Sequence, residues 1–83
     1  MLKVSVISPE RTLYEGEAQS VVAPAYDGEV GILTGHAPLL TLLGDGELRL
    51  SSATSAARFV VHGGFLQVAD NVVRVVTEHA EAK

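Results

Sequence analysis

The 83-residue chain has no cysteine, no tryptophan and only two lysines, Lys3 and Lys83. Each shortage removes a class of function. Without a thiol there is neither a disulfide framework nor a thiolate metal site. A phosphate-binding loop needs a lysine just before a helix, and a lipoyl or biotinyl carrier needs one at a central hairpin; no lysine stands in either place. Tyr14, Tyr26, Phe59 and Phe65 are the whole aromatic complement, few candidates for base stacking. The net charge is −4, with acidic and basic residues scattered and no basic run, which argues against nucleic acid or an anionic membrane surface as a direct partner. The opening Met-Leu-Lys-Val-Ser lacks a signal-peptide apolar core, and no stretch approaches the ~20 apolar residues of a membrane span.

What is present is a folded-type composition, 47% apolar, with a dominant period of two. Leu2, Val4 and Val6 alternate with Lys3 and Ser5, the pattern of a half-buried strand. Ser8-Pro9-Glu10 ends it with turn chemistry. Residues 12–15 and 18–23 read as further strands, and Pro24, which cannot donate to a ladder, is expected at a strand end or an edge. Asp27-Gly28 and Asp45-Gly46 both read as hairpin turns. Residues 47–51, 58–62, 65–68 and 72–77 read as strands, with Gly63-Gly64 and Asp70-Asn71 as turns. Eight to ten short strands in all imply an all-β fold, a sandwich or barrel. The expected core is Val4, Val6, Val21, Ile32, Leu48, Leu50, Phe59, Val61, Phe65, Val68, Val73 and Val75, and Phe65→Ala is expected to cost about 3–5 kcal/mol if the ring is fully buried. The only helix-prone stretch is the tail, residues 78–83, read as the first turn of a helix.

Chemistry is sparse. His62-Gly63-Gly64-Phe65 has the form of an esterase oxyanion loop, but no Gly-x-Ser-x-Gly elbow accompanies it, and a double-glycine bend between strands is the simpler reading. Asp27 with Glu29 and Asp45 with Glu47 read as turn acids followed by solvent-facing residues, not as paired catalytic carboxylates. His79 and Glu81 lack a second ligand cluster in the sequence. His36, between Gly35 and Pro38, has no evident nucleophile beside it. The informative run is Ala37-Pro38-Leu39-Leu40-Thr41-Leu42-Leu43, apolar at both parities. A strand with one wet face should not look like this, so it is either covered on both sides or meets a partner.

The segment Gly28-Glu29-Val30-Gly31-Ile32 followed by Gly35-His36-Ala37-Pro38-Leu39-Leu40 resembles the hallmark of the epsilon-subunit family of F-type rotary ATP synthases. Residues 59–68, Phe-Val-Val-His-Gly-Gly-Phe-Leu-Gln-Val, resemble that family's later strand pair, and the opening strand with Pro9 to Gly16 resembles its entry. The similarity runs through all 83 residues in order and spacing. It implies one flattened sandwich domain of two roughly five-stranded sheets spanning residues 1–83. It also implies a non-catalytic rotor part without cofactor, metal or small-molecule substrate, peripheral on the cytoplasmic face of the bacterial membrane. The implied partners are the gamma subunit and the c-ring. By position, Ser8, His36, Ala37, Pro38, Leu40 and Thr41 would face gamma, and Asp27, Gly28, Glu29 and Val30 would meet the c-ring. Family members usually continue into a C-terminal helical hairpin that can inhibit ATP hydrolysis, and residues 78–83 would be the stub leading to it. Two other readings remain open on the residues alone: a free-standing β-sandwich adaptor using the same apolar strand, and a small hydrolase built on His36 or His62.

Overall fold

The computed structural model describes all residues, Met1–Lys83. Ten strands and no helix make up the chain: β1 (Leu2–Ile7), β2 (Thr12–Ala18), β3 (Ser20–Ala25), β4 (Gly28–Leu33), β5 (Leu39–Leu42), β6 (Asp45–Ser51), β7 (Ala56–His62), β8 (Phe65–Ala69), β9 (Val72–Val76) and β10 (His79–Ala82). They form two five-stranded sheets, β2-β1-β9-β8-β5 (sheet A) and β10-β7-β6-β3-β4 (sheet B). Every ladder is antiparallel except β1 with β9, which run parallel and join the two ends of the chain at the centre of sheet A.

Strand alternation builds the core. Leu2, Val4 and Val6 point inward from β1, Val73 and Val75 from β9, Leu66 and Val68 from β8, and they meet Val21, Ile32, Leu48, Leu50, Phe59 and Val61 of sheet B. Tyr14 covers one end, its ring edge-on to Phe59 at a centroid distance of 6.2 Å. Eleven of the twelve expected core residues are buried; Phe65 is not, at 39% exposed. The reason is parity: Phe65 and Val68 are three apart, and with period two they cannot share a face. Leu66, fully buried, takes the inward place.

Four other local expectations change. The β3–β4 turn is centred on Tyr26-Asp27, with Gly28 opening β4 at φ 132°. Asp45-Gly46 is not a turn but the start of β6. A Cβ at Gly46 would lie 2.9 Å from Pro24 Cβ, so this glycine is there for close approach between strands. Pro24 itself lies inside β3, past Val22, where regular pairing with β6 stops; its carbonyl still accepts from Gly44 N at 2.8 Å. The tail is strand, not helix: His79–Ala82 pair with β7, and Ala80 joins the core. Tertiary pairing with an open strand edge overrides a weak helix preference over so few residues.

Two of the chain's five passages between sheets lie at Gly63-Gly64 and at Thr77-Glu78. The two passages touch. A Cβ on Gly64, at φ 107°, would overlap the Val76 carbonyl oxygen and sit 2.7 Å from Thr77 Cα. Thr77 is buried, and its hydroxyl donates to the His79 carbonyl at 3.0 Å.

Candidate interaction surfaces

The two outer faces differ in chemistry. On sheet A, Leu40 and Leu42 of β5 point outward, 69% and 64% exposed. Leu42 stands opposite Phe65, Phe65 opposite Val76, and Val76 opposite Ile7. An apolar row therefore crosses four strands at one end of the sheet. The next row, Leu40–Gln67–Arg74–Ser5, turns polar after its first member. Leu40, Leu42 and Phe65 line a shallow apolar depression with Thr41 at its side. This answers the two-sided apolar run: Leu39 and Thr41 face inward as partners of Val68 and Leu66, while Leu40 and Leu42 lie uncovered. Proline before an edge strand fits, since β5 is the outer strand of sheet A and Pro38 lies just ahead of it.

The residues expected at gamma do not form one cluster. Ala37, Pro38 and Leu40 are exposed, His36 is half-buried, and Thr41 turns to the inner face. A substitution such as Thr41→Arg would accordingly disturb packing as well as any contact. The loop before β5 is held by two bonds, His36 N to the Leu33 carbonyl at 3.0 Å and Gly35 N to Asn71 Oδ1 at 2.7 Å. His36 Nδ1 lies 2.6 Å from the Ala37 carbonyl oxygen, which only accepts, so the ring proton belongs on Nδ1. Ser8 follows Ile7 at the far end of the apolar row, in a tight turn bonded both ways to Arg11. Ser8 and the His36 loop thus occupy different corners of one face, joined by Leu40, Leu42, Phe65, Val76 and Ile7. Those last three were missed from sequence, because a cross-strand row becomes visible only once register is known.

Asp27, Gly28, Glu29 and Val30 sit at the β3–β4 hairpin on the edge of sheet B. Asp27, Gly28 and Glu29 are exposed, whereas Val30 packs against the core. The Glu29 carboxylate projects outward but is not free: Arg49 Nη2 lies 3.4 Å from its Oε2. Arg49 also reaches Glu47 at 3.8 Å, and Lys83 Nζ reaches the other Glu47 oxygen at 2.8 Å. Alternating charges, Lys83–Glu47–Arg49–Glu29, so run from the last residue to the hairpin. The hydrogen bond from Lys83, opposed by partial desolvation, holds the Glu47 carboxyl below its ordinary value.

Beside this chain of charges lie the remaining histidines. His62 and His79 are opposite one another on β7 and β10, stacked at 5.8 Å. Asp45 lies 3.9 Å from His62 and Glu81 3.3 Å from His79. No group of three or more such side chains converges as a metal cage.

The chain matches, over residues 1–83, the family described as "ATP synthase, Delta/Epsilon chain, beta-sandwich domain". It is 46% identical over 82 residues to the ATP synthase epsilon chain of Leptospira borgpetersenii, covering 99% of this chain and 65% of that relative's length. Its backbone superposes with TM-score 0.89 on a chain in a solved Euglena gracilis mitochondrial ATP synthase structure containing the c-ring, at 24% identity over 98% of this chain and 52% of the other. A chain in the Tetrahymena thermophila mitochondrial central stalk and c-ring gives TM-score 0.81 at 17% identity, covering 96% of this chain and 65% of that one. The structural likenesses speak to the fold.

Proposed function

The chain belongs to the delta/epsilon β-sandwich family of ATP synthases, and from that premise we propose that it is a non-catalytic part of the central stalk, seated between the gamma subunit and the c-ring. In this role it turns with the rotor and helps couple ion flow to ATP synthesis. The observation that carries the reading is the uncovered apolar row on sheet A, Leu42–Phe65–Val76–Ile7, continuous with Leu40 and the His36 loop. A face of this kind suits a permanent partner inside an assembly. Gamma is that partner in the proposal, and the exposed Glu29 at the hairpin is the group offered to the polar loops of the c-ring. No helix of the chain is long and apolar enough to cross a membrane; peripheral attachment to the cytoplasmic side of the bacterial membrane would come through these two neighbours.

The test is titration of the gamma subunit with the chain and with Leu42→Asp. Leu42 is 64% exposed, so the variant should melt like the parent. Loss of this exposed apolar anchor is expected to weaken gamma binding about tenfold or more. If gamma binds both equally, the row serves a different partner, and the adaptor reading replaces this one.

A further inference from the structure

The outer face of sheet B holds an arrangement that the stalk reading leaves unused. Arg49 and Arg58 stand directly opposite one another on β6 and β7, and Lys83, whose N–H donates to the Arg58 carbonyl at 2.9 Å, follows in the same row. Three of the chain's six basic residues thus lie side by side in a chain of net charge −4. Like charges directly opposite across a ladder are unfavourable. Two of the three are relieved: Lys83 leans to Glu47, and Arg49 to Glu47 and Glu29. Arg58, exposed, makes no ion pair. The carboxylates are all on one side of the row. On the other side Ser51 pairs with Ser20, their hydroxyl oxygens 2.6 Å apart. There a shallow cleft opens, lined by residues that include Arg49, Arg58, Ser51, Ala56 and Val22 but no acidic one.

We propose that this cleft is a binding site for a phosphoryl oxyanion, held between the Arg49 and Arg58 guanidiniums with Ser51 as a hydroxyl donor. A guanidinium presents paired donors in a fixed plane and matches the edge of a phosphate; two side by side match a doubly charged, tetrahedral group better than a single carboxylate. The hydroxyl pair can supply a further donor, since only one of its two protons is used between the oxygens. Binding supplies Arg58 with its missing counter-charge and removes the repulsion along the row. The phosphoryl group could belong to free inorganic phosphate or to the phosphate chain of a nucleotide; the same two forks would read either.

The experiment is a titration of the isotopically labelled 83-residue chain with sodium phosphate and, separately, with ATP, followed by NMR at ionic strength fixed with sodium chloride. The proposal expects saturable shifts at the Nε–H groups of Arg49 and Arg58 and at the Ser51 amide. Arg58→Ala should weaken binding about tenfold or more, and Arg58→Lys, which keeps the charge but loses the fork, by less. Because Arg58 is exposed and beside a like charge, Arg58→Ala should melt no lower than the parent. Response to both ligands, or to phosphate alone, identifies the free anion as a sufficient ligand; response to ATP alone identifies the nucleotide chain. The proposal is overturned if neither ligand gives saturable shifts at these residues, or if Arg58→Ala binds as tightly as the parent.

Discussion

Phe65 and Leu66 are neighbours with opposite fates, and together they test which way β8 faces. Leu66→Ala empties a fully buried site and should cost about 2–5 kcal/mol. Phe65→Ala removes a ring from a partly wet face and should cost about 1 kcal/mol. Urea unfolding of the two variants decides; the reverse order would mean that β8 is turned over. Gly64→Ala should be worse than its small size suggests, ~3 kcal/mol or more, since the methyl must displace the Val76 backbone and the residue must keep φ at 107°. The aliphatic core was readable because Val4, Val6, Val73 and Val75 announce their face by alternation with Lys3, Ser5 and Arg74. Phe65 was not, because its size suggested burial while its parity forbade it. Ala18, Ala23 and Ala80 gave no signal at all, since an alanine's composition does not say which side it faces.

At the scale of the element, turns were legible where chemistry forces the backbone and illegible where only proximity does. Asp70-Asn71 have φ of 50° and 61°, the left-handed pair a two-residue hairpin requires. Asp45-Gly46 is also a pair of turn-forming residues, but for a different cause, the contact of Gly46 with Pro24, which the sequence cannot display. Asn71 has two tasks, since its Oδ1 also receives Gly35 N. Asn71→Gly keeps the turn and loses only that acceptor. The expected result is a normal melt with faster hydrogen exchange at Gly35, and unchanged exchange would mean the bond does not hold the His36 loop. The tail was misread because β10 exists only through its pairing with β7. Its last residue can be followed by titration. A carboxyl held below its ordinary 4.5 contributes its stabilisation fully above that pH and loses it as the pH falls through the lowered value. Lys83→Met removes the main cause, so the Glu47 titration should move back up toward 4.5, and no movement would mean that the Lys83 bond is not made in solution.

The whole molecule depends on one pairing that local sequence does not contain. Sheet A is completed only when β1, at one end of the chain, lies parallel to β9, at the other. Such closure is entropically late, so folding is expected in milliseconds to seconds, slower than a helical bundle of the same length. Stopped-flow refolding would check this, and a microsecond phase recovering all native signal would refute it. A chain ending at Asn71 lacks the strand between β1 and β8 and should show no cooperative melt. The all-β class and the strand count were legible from periodicity and turn residues. The order of strands, the parallel pair and hence the faces on which the surfaces lie were not, because long-range register leaves no mark in local pattern.

The unlike faces of the sandwich should respond oppositely to salt. Contacts through the Leu42–Phe65–Val76–Ile7 row remove apolar surface from water and should tighten in ammonium sulfate. Contacts through Glu29, Arg49 and Arg58 are between exposed charges and should fade as sodium chloride shortens the screening length from about 10 Å at 0.1 M to about 3 Å at 1 M. A partner's salt dependence would therefore report which side of this thin molecule, 19 Å along its shortest extent, it has engaged.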